Sequence, residues 1–176
     1  MPKTLVLFAH PFFEFPDSNQ ELIAMYQNKE QFDFIDLYEV YPNFHIPAFR
    51  ERKRLSKYSK IVFHFPLIWF DMPPLLRLWL DEVIDGSWTK EYIDNPLEGK
   101  NIYIIITSIS KEKSFGENGK YIYSIEDLLA GFLITLKIFK TKIHPIYVVY
   151  ESESQSFKEI EAHKANFLNL INPTSI

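Results

Sequence analysis

Three uninterrupted apolar runs constrain this chain more than any other feature: Leu5-Val-Leu-Phe-Ala9, Ile61-Val-Phe-His-Phe65 and Ile102-Tyr-Ile-Ile-Ile-Thr107. A strand with one wet face alternates apolar and polar residues. These do not alternate, so both of their faces must be covered, as in a parallel sheet sandwiched between helical layers. Two further segments are weaker. Phe32-Asp-Phe-Ile-Asp-Leu37 alternates and suits an edge strand, and Lys142–Tyr150 contains Pro145, which suits an edge strand or a strand start. Helical spacing fills the intervals. It predicts helices over Asn19–Asn28 (behind a Ser18-x-x-Glu21 capping box), Ala48–Lys57, Pro74–Ile84, Ser124–Phe139 and Phe157–Leu170. The alternation of strand and helix gives an α/β fold. We expect a single domain over residues 1–176, with a doubly wound five-stranded parallel sheet in the order 2-1-3-4-5 and helices on both faces.

Bulk numbers remove several function classes. A net charge of −4, with lysine and arginine spread along the chain, leaves no basic stripe for nucleic acid. No apolar run approaches the ~20 residues of a membrane span, so no membrane insertion is expected. The absence of cysteine removes disulfides and thiol chemistry and fits a cytoplasmic protein. The histidines His10, His45, His64, His144 and His163 lack metal-ligand spacing, so no metal site is predicted. There is no P-loop, no G-x-G-x-x-G and no G-x-S-x-G. What stands out is 16 Phe, 10 Tyr and 3 Trp against only 5 Gly. That many rings suggests that some line a pocket for a flat ligand or an interface.

In a sheet of this order, ligands bind beyond the carboxyl ends of the strands, at the loops after strands 1, 3 and 4. The first loop, His10–Asn19, could gather backbone N–H groups and the Ser18 hydroxyl on a phosphate; alternatively Ser18 only caps its helix and His10 finishes a strand. The second, Phe65-Pro-Leu-Ile-Trp-Phe-Asp-Met-Pro-Pro74, exposes Trp69 and Phe70 unless a flat ligand, a partner subunit or their own domain covers them. The third, Thr107–Tyr121, is long and hydroxyl-rich, either a functional loop or a mobile excursion.

At these loops the chain resembles the flavodoxin-like NAD(P)H:quinone oxidoreductases, which include DT-diaphorase-type enzymes, modulators of drug activity and ancillary subunits of potassium-efflux systems. The stretch Phe65-Pro-Leu-Ile-Trp-Phe-Asp-Met-Pro-Pro-Leu-Leu-Arg-Leu-Trp-Leu-Asp-Glu-Val83 is similar to the family's F-P-L-x-W-[FY]-x-x-P-x-x-L-K-x-W-[IF]-D-R-V. Ala9-His10-Pro11 with Ser18-Asn19 matches the opening A-H-P…S…N, and Asp36-Leu-Tyr38 with Tyr41-Pro-Asn-Phe44 resembles D-L-Y…Y-P-x-F.

The resemblance implies a flavin, FMN in preference to FAD because the chain lacks the C-terminal extension of larger members. It also implies NAD(P)H as co-substrate, a quinone or similar flat acceptor, and a ping-pong hydride transfer through flavin N5. By resemblance, His10, Ser18 and Asn19 hold the phosphate, and Pro66, Leu67, Ile68, Trp69 and Phe70 run beside the ring and ribityl. Thr107, Ser108, Ile109 and Ser110 meet the ring's polar edge. Phe115 stands where the family has a tyrosine, and Tyr121 where DT-diaphorase-type members have a histidine, which makes these two the candidate catalytic positions. Thr107-Ser-Ile-Ser110 replaces the family's T-T-G-G, so a β-branched side chain sits where backbone would approach the flavin. A homodimer is expected, to cover Trp69, Phe70 and the third loop. The alternative role is a regulatory subunit docked on a membrane potassium-efflux protein, with Arg50-Glu-Arg-Lys-Arg54 as either a docking face or a solvated helix surface.

Overall fold

The computed structural model describes residues 3–11, 18–27, 29–90 and 93–172. Its sheet is parallel throughout, with strands β1 (Thr4–Phe8), β2 (Phe32–Asp36), β3 (Lys60–Pro66), β4 (Asn101–Thr107), β5 (Lys142–Ile143) and β6 (Tyr147–Val149). The order is β2-β1-β3-β4-β5, with β6 pairing further along β4, so the doubly wound architecture is as expected but the fifth position holds two short strands. Pro145 explains the break, because it has no N–H to give to β4. Asn101 pairs with Lys142 and Ile105 with Tyr147, so the outer edge carries one residue more than β4 across the same span. That surplus is a bulge.

Side-chain alternation distributes the core between two faces. Leu5 and Leu7, Ile61, Phe63 and Phe65, and Ile102, Ile104 and Ile106 pack with helices α3 (Ala48–Leu55), α4 (Pro74–Val83), α5 (Ile125–Leu128) and α6 (Ala130–Ile138). Val6 and Phe8, Val62, and Tyr103 and Ile105 face α1 (Ser18–Ile23) and α7 (Phe157–Ile171). The continuous apolar runs are therefore two interleaved stripes, one for each helical layer.

Several boundaries differ from expectation, each for a local reason. α1 opens at Ser18 itself and closes at Ile23, while the first loop's residues 12–17 lie outside the described residues. A short helix, α2 (Leu37–Val40), follows β2 because the Asp36 carboxylate accepts from the backbone N–H groups of Tyr38 and Glu39. The expected Ser124–Phe139 helix breaks at Leu129, where ψ turns to 14° and separates α5 from α6.

Within the basic run Arg50–Arg54, Arg50 and Lys53 are exposed, as a solvated helix surface would be, while Arg52 and Arg54 are half-buried and engaged internally. Arg52 donates to the carbonyls of Glu82 and Val83 at the end of α4 and to Asp85. Arg54 and Tyr41 donate to one oxygen of the fully buried Glu51 carboxylate, and Trp79 Nε1 donates to the other at 3.0 Å. Arg50 donates to the Tyr41 hydroxyl at 3.0 Å. The run fastens α3 to α4 and to the chain after α2.

Candidate functional site

A cavity of about 1170 Å³ opens beyond the carboxyl ends of β1, β3 and β4. It exceeds the ~300–1,000 Å³ usual for small-molecule pockets. All fourteen residues singled out in the sequence line it: His10, Ser18 and Asn19; Pro66 to Phe70; Thr107 to Ser110; and Phe115 with Tyr121. Its position follows from topology. β1 sends its chain to one side of the sheet and β3 to the other, so the segments leaving them diverge and leave a crevice.

Each wall is held by identifiable bonds. His10 and Asn19 are buried, and Asn19 Oδ1 accepts from Thr107 Oγ1 at 3.1 Å, joining the first wall to the third. The Leu67 N–H donates to the Thr107 carbonyl at 2.8 Å, so the second wall continues the β3–β4 pairing. Ile68 and Asp71 then exchange backbone hydrogen bonds at 2.9 and 3.0 Å around a two-residue turn. Its central residues, Trp69 and Phe70, both have positive φ, 48° and 68°. Type I′ turns demand this of both central positions and normally use Asn and Gly. Trp69 is 90% exposed, so it does not fold back onto its own chain, whereas Phe70 packs edge-on to Tyr121 at 4.8 Å.

The third loop is tied down. Tyr121 N–H donates to the Ser114 carbonyl and Gly116 N–H to that of Tyr123, while Gly119 sits so close that a Cβ there would come within 2.5 Å of Ser114's backbone. Tyr121 lies between Phe70 and Phe115, and its hydroxyl meets Ser110 Oγ at 3.0 Å. The non-glycine residues Ile109 and Ser110 cost no backbone strain, since neither has positive φ, and the Ile109 side chain is 70% exposed. The replacement of the two glycines is therefore accommodated locally.

A fourth wall, formed by the segment after β6, was missed because the switch-point argument looks only at the loops after strands 1, 3 and 4. Ser152, Glu153, Gln155, Phe157 and Ile160 line the cavity, as do Gln20 and Glu21 of α1. Glu151 turns the chain with a left-handed φ of 49°, and the N–H groups of Glu151 and Ser152 donate to the carbonyls of Ser110 and Ser108. Burial pushes the Tyr150 hydroxyl above its ordinary pKa, with Glu112 and Glu126 adding to the shift. Among the described residues no lysine or arginine lines the cavity, and Glu21 is offset by Lys164 at 3.9 Å. An anion here would be held by neutral donors and His10. Among the described residues no cluster of His, Asp or Glu could hold a metal, and no helix is long and apolar enough to cross a membrane.

The fold and site define a doubly wound α/β protein with a large, aromatic-walled crevice at its switch point. Residues 2–171 match the family described as flavodoxin-like fold, and the chain belongs to that family. It is 32% identical over 166 residues to general stress protein 14 of Bacillus subtilis (strain 168), covering 94% of each chain. It is 28% identical over 159 residues to the uncharacterized NAD(P)H oxidoreductase YrkL of the same organism, covering 90% of this chain and 91% of that one. The glutathione-regulated potassium-efflux system ancillary protein KefG of Serratia proteamaculans (strain 568) is 32% identical over 162 residues, covering 92% and 88%. Among solved structures, general stress protein 14 of Treponema denticola in complex with FMN superposes with a TM-score of 0.88 at 27% identity, covering 97% and 98%. An NADPH-quinone reductase from P. pentosaceus shares the fold, with a TM-score of 0.87 at 20% identity, covering 98% and 99%.

Proposed function

We propose that this chain is an FMN-dependent NAD(P)H:quinone oxidoreductase that works by ping-pong hydride transfer in the cytoplasm. The observation that carries the reading is one crevice that unites polar groups at His10, Ser18 and Asn19 with a ring-lined wall at Phe70, Phe115 and Tyr121. Its volume suits a flat ring with a polar tail and a second flat molecule beside it. The FMN complex of the Treponema denticola relative and the oxidoreductase name of YrkL support the same reading.

His10, Ser18 and Asn19 would hold the phosphate, Pro66–Phe70 would flank the ring and ribityl, and Thr107–Ser110 would meet the polar edge of the ring. FMN, when bound, supplies the redox chemistry, accepting a hydride from NAD(P)H and donating it to a quinone. The chain's own part is to orient and enclose. Phe70 and Phe115 exclude water, and the Tyr121 hydroxyl, steadied by Ser110, offers a hydrogen bond to charge developing on the acceptor. Phe115 has no hydroxyl, so Tyr121 carries that role alone. Trp69 and Ile109, which line the crevice, are 90% and 70% exposed, which supports a homodimer closing over it. A species that sediments as a dimer at micromolar concentration is expected, and a stable monomer would contradict the pairing.

The kinship with KefG supports a second reading, a regulatory subunit docked on a potassium-efflux protein. The internal commitments of Arg50, Arg52 and Arg54 argue against the basic helix as that docking face. One experiment separates the two roles. Flavin-loaded protein titrated anaerobically with NADPH should bleach, and menadione should restore its colour. Protein that ignores added FMN, or bound flavin that NADPH does not bleach, overturns the enzyme.

A further inference from the structure

The third loop carries the chain's one asparagine followed by glycine, Asn118-Gly119. Such a pair is reactive in water. The backbone nitrogen after an asparagine attacks the side-chain amide, and glycine, with no Cβ, leaves that nitrogen least obstructed. The fold holds the pair in place. A Cβ at Gly119 would lie 2.5 Å from the carbonyl carbon and oxygen of Ser114 and 2.7 Å from the Phe115 carbonyl oxygen. These are backbone atoms that cannot swing aside, so packing demands glycine at this position. Asn118 is exposed, and its side chain makes no hydrogen bond among the described residues. It stands in a turn closed by the Gly119 N–H, which donates to the Gly116 carbonyl at 2.8 Å.

We propose that Asn118 is a self-modification site whose reaction loosens the loop that holds Tyr121. The Gly119 nitrogen bonds to Asn118 Cγ, the Cγ–Nδ2 bond breaks, and ammonia leaves with the proton of the Gly119 N–H. Water then opens the five-membered imide. Opening at one carbonyl gives aspartate. Opening at the other gives isoaspartate, in which the main chain runs through Cβ and is one atom longer. No oxidant or reductant is consumed. Attack requires the bond from Gly119 to Gly116 to open, so the rate follows opening of the turn. The added atom falls where Gly119 already touches the Ser114 backbone, two residues before the Tyr121 N–H that donates to the Ser114 carbonyl at 2.9 Å. A longer chain cannot keep both contacts, and Tyr121 loses its place between Phe70 and Phe115.

The test ages purified apo-protein for some weeks at mildly alkaline pH and about 37 °C, beside Asn118→Gln and a synthetic peptide of residues 114–121. Peptide mass spectrometry should show a gain of about 1 Da at residue 118, with methylation there by an isoaspartyl methyltransferase. The free peptide should react about tenfold faster than the folded chain, and Asn118→Gln should gain nothing. Aged wild-type protein should melt about 2–4 °C below fresh protein, while Asn118→Gln keeps its Tm on ageing. Absence of the gain at residue 118, or a gain without isoaspartate, overturns the site. A complete gain with unaltered melting overturns its effect on the loop. None of these readouts uses flavin, so the FMN reading stands or falls by its own titration.

Discussion

Replacing Trp69 with asparagine should make the protein more stable, although the change removes one of its largest side chains. Trp69 holds φ at 48° in the two-residue turn of the second wall. A left-handed backbone costs an ordinary L-residue about 1–2 kcal/mol, and asparagine much less. Against that stands the packing lost, which is small because the ring is 90% exposed. A tenth of a tryptophan's ~250 Å², at about 25 cal/mol per Å², amounts to ~0.6 kcal/mol. The net gain is about 0.5–1 kcal/mol, or roughly 1–4 °C in Tm for a chain of this size. Trp69→Ala is the control, since it loses the same packing and keeps the strain. The Asn variant should exceed it by about 1 kcal/mol. Urea unfolding with an unchanged m-value measures both. If Trp69→Asn is no more stable than Trp69→Ala, the strain argument is wrong. If Trp69 flanks the flavin as proposed, both variants should also bind FMN more weakly.

Three other changes probe separate parts of the molecule. Tyr121→Phe should leave Tm within about 1 kcal/mol of stability while slowing quinone reduction about tenfold, read by stopped-flow reoxidation; an unaltered rate would remove Tyr121 from the mechanism. Glu51→Ala strips the shared acceptor from Arg54, Tyr41 and Trp79 and should cost about 3–5 kcal/mol in urea unfolding, far more than a surface carboxylate would. His144, stacked on Tyr103 at 4.2 Å near Lys60, and His163, bonded to the Tyr147 hydroxyl, are both held below the ordinary histidine pKa, chiefly by burial. The unfolded chain therefore binds more protons than the folded one below about pH 6.5, so stability is full above that pH and declines as pH falls through it. Unfolding at pH 7.5 and 5.5 should show the decline, and a His144→Gln/His163→Gln double variant should flatten it.

The sheet was legible because buried parallel strands leave a mark that needs no partner to be seen: Ile102–Ile106 can only lie between two apolar layers. The three walls after β1, β3 and β4 followed from topology once those strands were placed. What escaped depends on contacts distant in sequence. Nothing about Gln155 alone marks it; it reaches the crevice through Glu151's left-handed turn and the bonds from residues 151 and 152 to Ser110 and Ser108. The basic run misled for the same reason. Arg52 and Arg54 look like surface charge until α4 and Glu51 are folded beside them. The turn at Trp69–Phe70 was hidden because its sequence contradicts the backbone it adopts.

The bulge at Pro145 has a reach beyond the edge on which it sits. Before it, the odd-numbered Ile143 faces the layer of α3 to α6; after it, the even-numbered Ile146, Val148 and Tyr150 do, and Val149 turns to Leu22 and Ile160. One surplus residue thus reverses the parity with which the strand is read. A chain shortened by a single residue here would offer Val149 to the wrong layer and carry the next segment in with its side chains inverted. Length at this point, more than side-chain identity, decides which layer Val149 meets.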